Sequence, residues 1–186
     1  MNTKNSHFEN RQNLVKYAMN IAIVVILRFL PHAPNIEPIM ASVMPWSKKY
    51  GPVFGMAFAV AAVVLFDLLS GTMSIWSPVT ILCYAAVGFS SGMWFRRARG
   101  GFIDYMAFAF LATIFYDLAT GIVFGVFAFH QTLAATITGQ IPFTINHLIG
   151  NLILAAIVSP IISKYVVENR QLETSRVATR LKTANN

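Results

Sequence analysis

Charged side chains interrupt otherwise apolar stretches of this 186-residue chain. Arg28, Asp67 and Asp117 each lie within or at the end of a long apolar run, and Glu37 follows the first run. An ionised side chain at mid-bilayer costs about 2.5–3.5 kcal/mol on insertion scales. Such groups should face one another or a wet cavity. We expect either a polar pocket that recognises a solute, or an internal salt bridge of Arg28 with Asp67 or Asp117 that only fixes helix packing.

The sequence shows no arrangement typical of catalysis. It contains no GxSxG, no HExxH, no P-loop and no carboxylate pair with a nearby base. The histidines and aspartates lack the spacing of metal ligands. We therefore expect neither an enzyme nor a bound cofactor or metal, and any active transport would need a partner or an ion gradient.

The elements that carry these groups are predicted to be membrane-spanning helices. Hydrophobic residues make up 56% of the chain and charged residues 11%, whereas a soluble domain has about a quarter charged residues. This composition excludes a disordered chain and argues against a soluble enzyme or a nucleic-acid binder. The single cysteine, Cys83, cannot form an internal disulfide.

A helical span needs ~20 mostly apolar residues, and the candidates are residues 13–31, 50–70, 77–95, 103–123 and 142–163.

The distribution of basic residues sets the predicted number of crossings. If the short apolar segment 36–47 also crosses, all of the fourteen Lys and Arg residues except Arg28 fall on one side of the membrane. By the positive-inside rule, that side is the cytoplasm. Five crossings would place a basic cluster outside the cell, and a seventh crossing through 124–140 would place the basic tail there. We therefore predict an all-α integral membrane protein, a six-helix transmembrane bundle with a short second helix, and an outer loop or interfacial helix at 124–140.

One membrane domain is predicted for residues 1–186. It comprises a cytoplasmic leader at 1–12, the six-helix bundle at 13–165 and a basic cytoplasmic tail at 166–186. No removable signal peptide is apparent. The predicted location is the plasma (cell) membrane, with several crossings and both termini in the cytoplasm.

Two spacing patterns add detail to the bundle. Ala18 and Ala22 form a small-xxx-small pair, which places both on one helix face that another helix could approach closely. Asp67-Leu-Leu-Ser-Gly71 and Asp117-Leu-Ala-Thr-Gly121 recur at the same predicted outer depth. If this is a repeat rather than coincidence, each glycine lets the chain turn sharply after its helix.

These features together resemble the substrate-binding (S) components of energy-coupling factor (ECF) transporters, the vitamin-uptake relatives of ABC importers. The resemblance covers residues 13–165, and the stretches that carry it are Ala18-x-x-x-Ala22, the run from Arg28 to Pro38, the Asp-Leu-x-x-Gly helix ends, and Asn146-His147-Leu-Ile-Gly-Asn151 leading to Ser159-Pro160.

Several expectations follow from the resemblance. It implies that Ala18 and Ala22 dock onto a membrane coupling subunit, which is joined to two ATPase subunits. It also implies a small polar, vitamin-like substrate bound in an outward-facing pocket, partly covered by the first outer loop. The implied pocket or lid residues are Arg28, Asn35, Glu37, Asp67, Asp117, Asn146, His147 and Asn151.

Three other functions remain compatible with the sequence. A structural membrane scaffold of the MreD kind would need no solute pocket. A membrane-embedded enzyme could use Asp67, Asp117 and His147 as acid–base groups. A stand-alone ion-coupled carrier would normally show inverted repeats and broken helices.

Overall fold

The computed structural model describes residues 14–30 and 37–172, and this part of the chain is helical without β-strands. The helices are α1 (Leu14–Phe29), α2 (Pro38–Tyr50), α3 (Pro52–Ser70), α4 (Ser77–Phe95), α5 (Phe102–Ile122) and α6 (Leu133–Ile162). Helix α5 continues into a π-helical turn at Val123–Ala128, and α6 into another at Ser163–Val167, before a final 3-10 turn.

Four helical segments are long and apolar enough to cross a membrane. They are Pro52–Ser70, Ser77–Phe95, Phe102–Ala128 and Leu133–Val167. This indicates an all-helical, multi-pass membrane protein. The count of six crossings stays a prediction, because α1 and α2 have only 16 and 13 residues and a full span needs ~20.

Helix α2 is short and enclosed by the other helices. Its 13 residues extend about 20 Å, against a hydrocarbon core of about 30 Å. Residues 38–47 are all buried, and α2 packs against α3, α4 and α6. Pro45 cannot donate to the Ala41 carbonyl one turn earlier, and the Ser159 hydroxyl of α6 donates to that oxygen instead, at 2.8 Å. The unused acceptor is thus satisfied within the protein.

Glycines allow α3 and α4 to pack very closely. A methyl group at Gly55 or at Gly88 would collide with the other glycine's backbone, and one at Gly92 would collide with Pro52. Helices α5 and α6 form a second closely packed pair, whereas α4 and α5 touch each other only sparsely. The helices α3 to α6 therefore form two tight pairs with a looser seam between α4 and α5.

The two ends of the bundle differ in charge. At one end, called the basic end, the buried Lys16 ammonium donates to the Val167 carbonyl at 3.2 Å. This contact joins the start of α1 to the turn after α6, near Lys164. At the other end, called the pocket end, Arg28 lies against Phe66 near the end of α3. Helix α1 therefore runs from the basic end to the pocket end.

The structure corrects one predicted boundary. The first four candidate spans agree with α1, α3, α4 and α5 to within a few residues, but α6 begins at Leu133 rather than at 142. Within 124–140, predicted to be an outer loop or an interfacial helix, only residues 129–132 are non-helical. The prediction assigned the polar residues of this stretch to a surface segment. In the structure, Thr136 and Gln140 pack against Gly125 and Gly121 of the preceding segment. They belong to a helix–helix contact.

The close α3–α4 contact gives the first testable prediction. Gly88→Ala places a methyl group against the Gly55 backbone, and such overpacking typically costs about 1–3 kcal/mol. We expect a lower thermal unfolding midpoint for the purified protein in detergent. Gly139→Ala is the matched control, since nothing lies within 4 Å of its added methyl group. Equal midpoints for the two variants would contradict the proposed packing.

Candidate functional site

Arg28 is held at the pocket end by two different contacts. Its guanidinium carbon lies 3.8 Å from the centroid of the Phe66 ring, a cation–π arrangement. Its Nη2 donates to Glu37 Oε1 at 3.1 Å. The salt bridge predicted with Asp67 or Asp117 is not present; Glu37, at the start of α2, is the partner.

One nitrogen of the guanidinium is unused by the described part of the chain. Nη1 of Arg28 is buried, and it has no hydrogen-bond partner among the described residues. The Arg28 side chain is only 13% exposed, so bulk water reaches it poorly. A buried donor left unsatisfied costs about 1–3 kcal/mol, more when it is charged. An acceptor that reached Nη1 would remove this penalty.

A cavity of about 270 Å³ lies beside Arg28. Asp67 lines it half-buried, and its carboxylate accepts a long hydrogen bond from the Thr72 hydroxyl at 3.4 Å. Tyr84, also at the wall, donates its phenol to the second Glu37 oxygen. The remaining wall is mixed polar and aromatic, and includes Val63, Ser74, Trp76, Ser77, Thr80, Tyr116 and Phe124.

A second cavity adjoins the first. It measures about 400 Å³ and shares Tyr116 and Phe124 with its neighbour. Its walls combine aromatic rings with the side-chain amides of Gln131 and Gln140 and the buried Thr136. Together the two cavities offer a cation, a carboxylate, amides and several π faces at one end of the bundle.

Deeper in the bundle, Asp117 of α5 and His147 of α6 form a buried pair. His147 Nδ1 lies 2.6 Å from Asp117 Oδ1, and the side chains are 3% and 0% exposed. With the carboxylate ionised, the imidazole nitrogen is the donor. The His147 ring meets Tyr116 and Phe143 edge to face. Asp117 Oδ2 and His147 Nε2 have no partner among the described residues.

Asn151 extends this buried network towards α2. Its amide nitrogen donates to the Thr113 hydroxyl at 2.9 Å, and both groups lie near the Met40 sulfur. Tyr84 and Tyr116 connect the network to the cavity, with ring centroids 4.7 Å apart. A continuous line of contacts therefore runs from Arg28 through Glu37 and the two tyrosines to His147.

The structure brings six of the predicted site residues together in two clusters. Arg28, Glu37 and Asp67 meet at the first cavity, and Asp117, His147 and Asn151 meet in the buried network. The Asn146 side chain is exposed and does not join either cluster. Asn35 lies outside the described residues. Ala18 and Ala22 are both exposed on α1, so their face is unoccupied by the described part of the chain.

The two Asp-Leu-x-x-Gly segments have different environments. Gly71 adopts a left-handed conformation, with φ of 70°, and ends α3 as expected. The turn expected at Gly121 is wrong: the chain continues helically to Ala128, because Gly121 gives room to the side chain of Gln140. Asp67 borders a cavity, whereas Asp117 is fully buried against His147.

Sequence reasoning missed several participants. Tyr84, Thr113 and Met40 contact predicted site residues but were not among the candidates. A signal for Tyr84 exists in the polar residues Ser77, Thr80, Tyr84 and Ser91, which recur at helical spacing in an apolar segment. No comparable signal marks Met40, whose role depends on the path of α2.

The buried pair gives the second prediction. Removing one partner of a buried pair leaves the other uncompensated, at about 3–5 kcal/mol. We expect Asp117→Ala and His147→Ala each to lower the free energy of unfolding in detergent by that order, and the double variant to lose less than the sum of the two. The neighbouring exposed Asn146→Ala should be close to neutral. Strictly additive losses would show that the two side chains are not coupled.

The site can recognise a solute by hydrogen bonds, charge and aromatic contact. No group of three or more His, Cys, Asp or Glu side chains in residues 14–30 and 37–172 is placed to hold a metal ion. Comparisons with protein-family models, with curated proteins and with solved structures found no match for this chain.

Proposed function

We propose that this chain is the solute-capturing membrane subunit of an ECF-type importer, and that it binds a small polar, vitamin-like metabolite at the pocket end. The observation that carries the proposal is that Arg28 lines a cavity while its buried Nη1 has no hydrogen-bond partner among the described residues. A solute oxygen that reached this nitrogen would remove the cost of leaving a charged donor unsatisfied.

The cavity walls indicate the chemistry of the ligand. Arg28 suits a carboxylate, phosphate or carbonyl oxygen, because a guanidinium donates in a planar fork. Asp67 could accept from an amine or hydroxyl on the same molecule. The rings of Tyr116 and Phe124, shared by both cavities, provide a surface for a planar or apolar portion. A ligand extending into both cavities would meet all three kinds of group.

The charge distribution supports an outward orientation for the pocket end. Described lysines and arginines other than Arg28 lie at or beyond the helix ends opposite the cavity, as with Lys16, Lys48 and Arg96. Basic residues near membrane-spanning helices favour the cytoplasmic side. We propose six crossings of the plasma membrane in this orientation, with both termini in the cytoplasm.

Helix α1 supplies a separate surface for a partner. Ala18 and Ala22 are exposed four residues apart, so another helix could approach this face closely. A coupling subunit with two ATPase subunits would provide the energy that the chain, lacking a nucleotide-binding motif, does not generate. Solute capture and docking would then use different parts of the molecule.

Native mass spectrometry of gently purified protein tests solute capture. We expect a retained metabolite that is lost in Arg28→Ala and weakened in Asp67→Asn. Loss of a hydrogen bond to a charged group is worth about 1.5–3 kcal/mol, or roughly 10- to 100-fold in affinity. Arg99→Ala, an exposed arginine at the basic end, should retain the metabolite. A scaffold protein would carry none, or would carry it equally in all variants.

Docking through α1 gives a further prediction. Ala18→Trp and Ala22→Trp should abolish assembly with the coupling subunit while leaving the retained solute unchanged, because the bulky ring blocks close helix approach. Leu82→Trp on α4 controls for an added exposed ring, since Leu82 is itself 69% exposed. Assembly is measured by co-purification of co-expressed subunits. Equal loss of assembly and solute in the α1 variants would instead indicate misfolding.

A further inference from the structure

A large groove follows the seam between α4 and α5 towards the basic end. Its volume is about 960 Å³, more than either cavity at the pocket end. The groove exists because α4 uses its glycine face to pack on α3 while α5 packs on α6. Small side chains on the seam, Ala86 and Ser90, leave the space between the pairs unfilled.

The groove is apolar along its length and faces outwards from the bundle. Its walls include Met93, Leu111 and Phe115, which are 52%, 53% and 47% exposed. No other described part of the chain covers them. At membrane depth such a surface meets hydrocarbon rather than water, so an acyl chain is the natural occupant of its length.

Two arginines stand at the end of the groove. Arg96 and Arg97 follow the last residue of α4, line the groove and are exposed. The described salt bridges join Arg28 to Glu37 and His147 to Asp117, so neither groove arginine has an acidic partner in the described chain. Asp104, the nearest acidic residue along the sequence, accepts from the backbone amides of Gly100 and Gly101 instead.

Trp94, two residues before Arg96 in the sequence, carries a donor that no described group satisfies. The indole Nε1 of Trp94 is buried and has no hydrogen-bond partner among the described residues, and Trp94 lines the groove. An indole nitrogen only donates. An ester or phosphate oxygen at the junction of headgroup and acyl chain would satisfy it.

We propose that this groove binds an anionic phospholipid. The lipid phosphate lies between Arg96 and Arg97, where guanidinium groups form charge-assisted hydrogen bonds. Trp94 donates to an oxygen at the ester level, and one acyl chain fills the seam beside Ala86. Basic pockets between membrane helices on the cytoplasmic side are a known type of lipid-headgroup site. The site is distinct from the solute cavity and from the Ala18–Ala22 face.

The headgroup interaction is tested on the full-length protein in nanodiscs that contain mostly phosphatidylcholine and a minor fraction of phosphatidylglycerol. After detergent release, native mass spectrometry measures the retained ratio of the two lipids. We expect phosphatidylglycerol to be enriched over its bulk share. Since each arginine near an anionic surface contributes about 1 kcal/mol, roughly fivefold, Arg96→Gln with Arg97→Gln should lower the enrichment by roughly five- to thirtyfold.

Arg99→Gln is the matched control, because Arg99 belongs to the same basic loop but does not line the groove. It should leave the enrichment unchanged. Equal retention of both lipids by the unaltered protein, or equal effects of the Arg99 change and the double change, would overturn the proposal. Inorganic phosphate added during release should not displace the lipid; displacement would indicate an anion site without acyl recognition.

The seam is tested by a change that leaves the charges intact. Ala86 is exposed and lines the groove, so Ala86→Phe should fill the space and reduce retention of phosphatidylglycerol while the thermal midpoint is preserved. Leu82→Phe, on the same helix outside the groove, should have no effect. Intact lipid retention in Ala86→Phe would show that no acyl chain fills the seam. Dissociation of a dimer by this variant would show that the groove is covered by a second copy of the chain, and the acyl-chain assignment would again be wrong.

Discussion

Backbone polar groups at membrane depth have no water to pair with, and α2 meets this constraint only because other helices enclose it. Its length of about 20 Å and its internal proline would leave unsatisfied groups in lipid. Ser159 supplies the donor that Pro45 removes, and Ser47 of α2 donates to carbonyls of α2 and α4. Enclosure of this short helix sets the positions of the helices around it.

The position of α2 also determines the site. Glu37 precedes the first residue of α2, so the burial of that helix brings its carboxylate to Arg28 and Tyr84. Met40, one turn further, reaches Thr113 and Asn151. The solute cavity and the buried network are therefore connected, because the tilted rings of Tyr84 and Tyr116 are in contact between them.

The two ends of the bundle present different chemistry to the membrane boundary. At the pocket end, Arg28 uses only part of its hydrogen-bonding capacity within the described residues, and the surrounding walls carry aromatic rings and amides. This combination suits a small polar ligand. The basic end combines guanidinium groups that have no acidic partner in residues 14–30 and 37–172 with an apolar seam, which suits an amphipathic ligand. The difference arises from packing: α5 and α6 leave polar space near Tyr116, whereas α4 and α5 separate near Trp94.

Much of the architecture could be predicted because lipid-facing helices have a strong sequence signal. Apolar length located α3, α4 and α5 closely, and the cost of buried charge identified Arg28, Asp67 and Asp117 as interior groups. The polar residues of 124–140 were assigned to a loop or interfacial helix because hydropathy does not show that Thr136 and Gln140 face glycines on a neighbouring helix.

The sequence by itself determined that the chain is a helical membrane protein, where α3, α4 and α5 lie, and which polar residues cannot face lipid, since these depend on composition and on local periodicity. Only the tertiary structure decided the pairing. Arg28 contacts Glu37 rather than an aspartate, Asp117 contacts His147, and Asn146 faces away from both. Pairing depends on helix rotation and on the depth of α2, which result from packing among residues far apart in the chain.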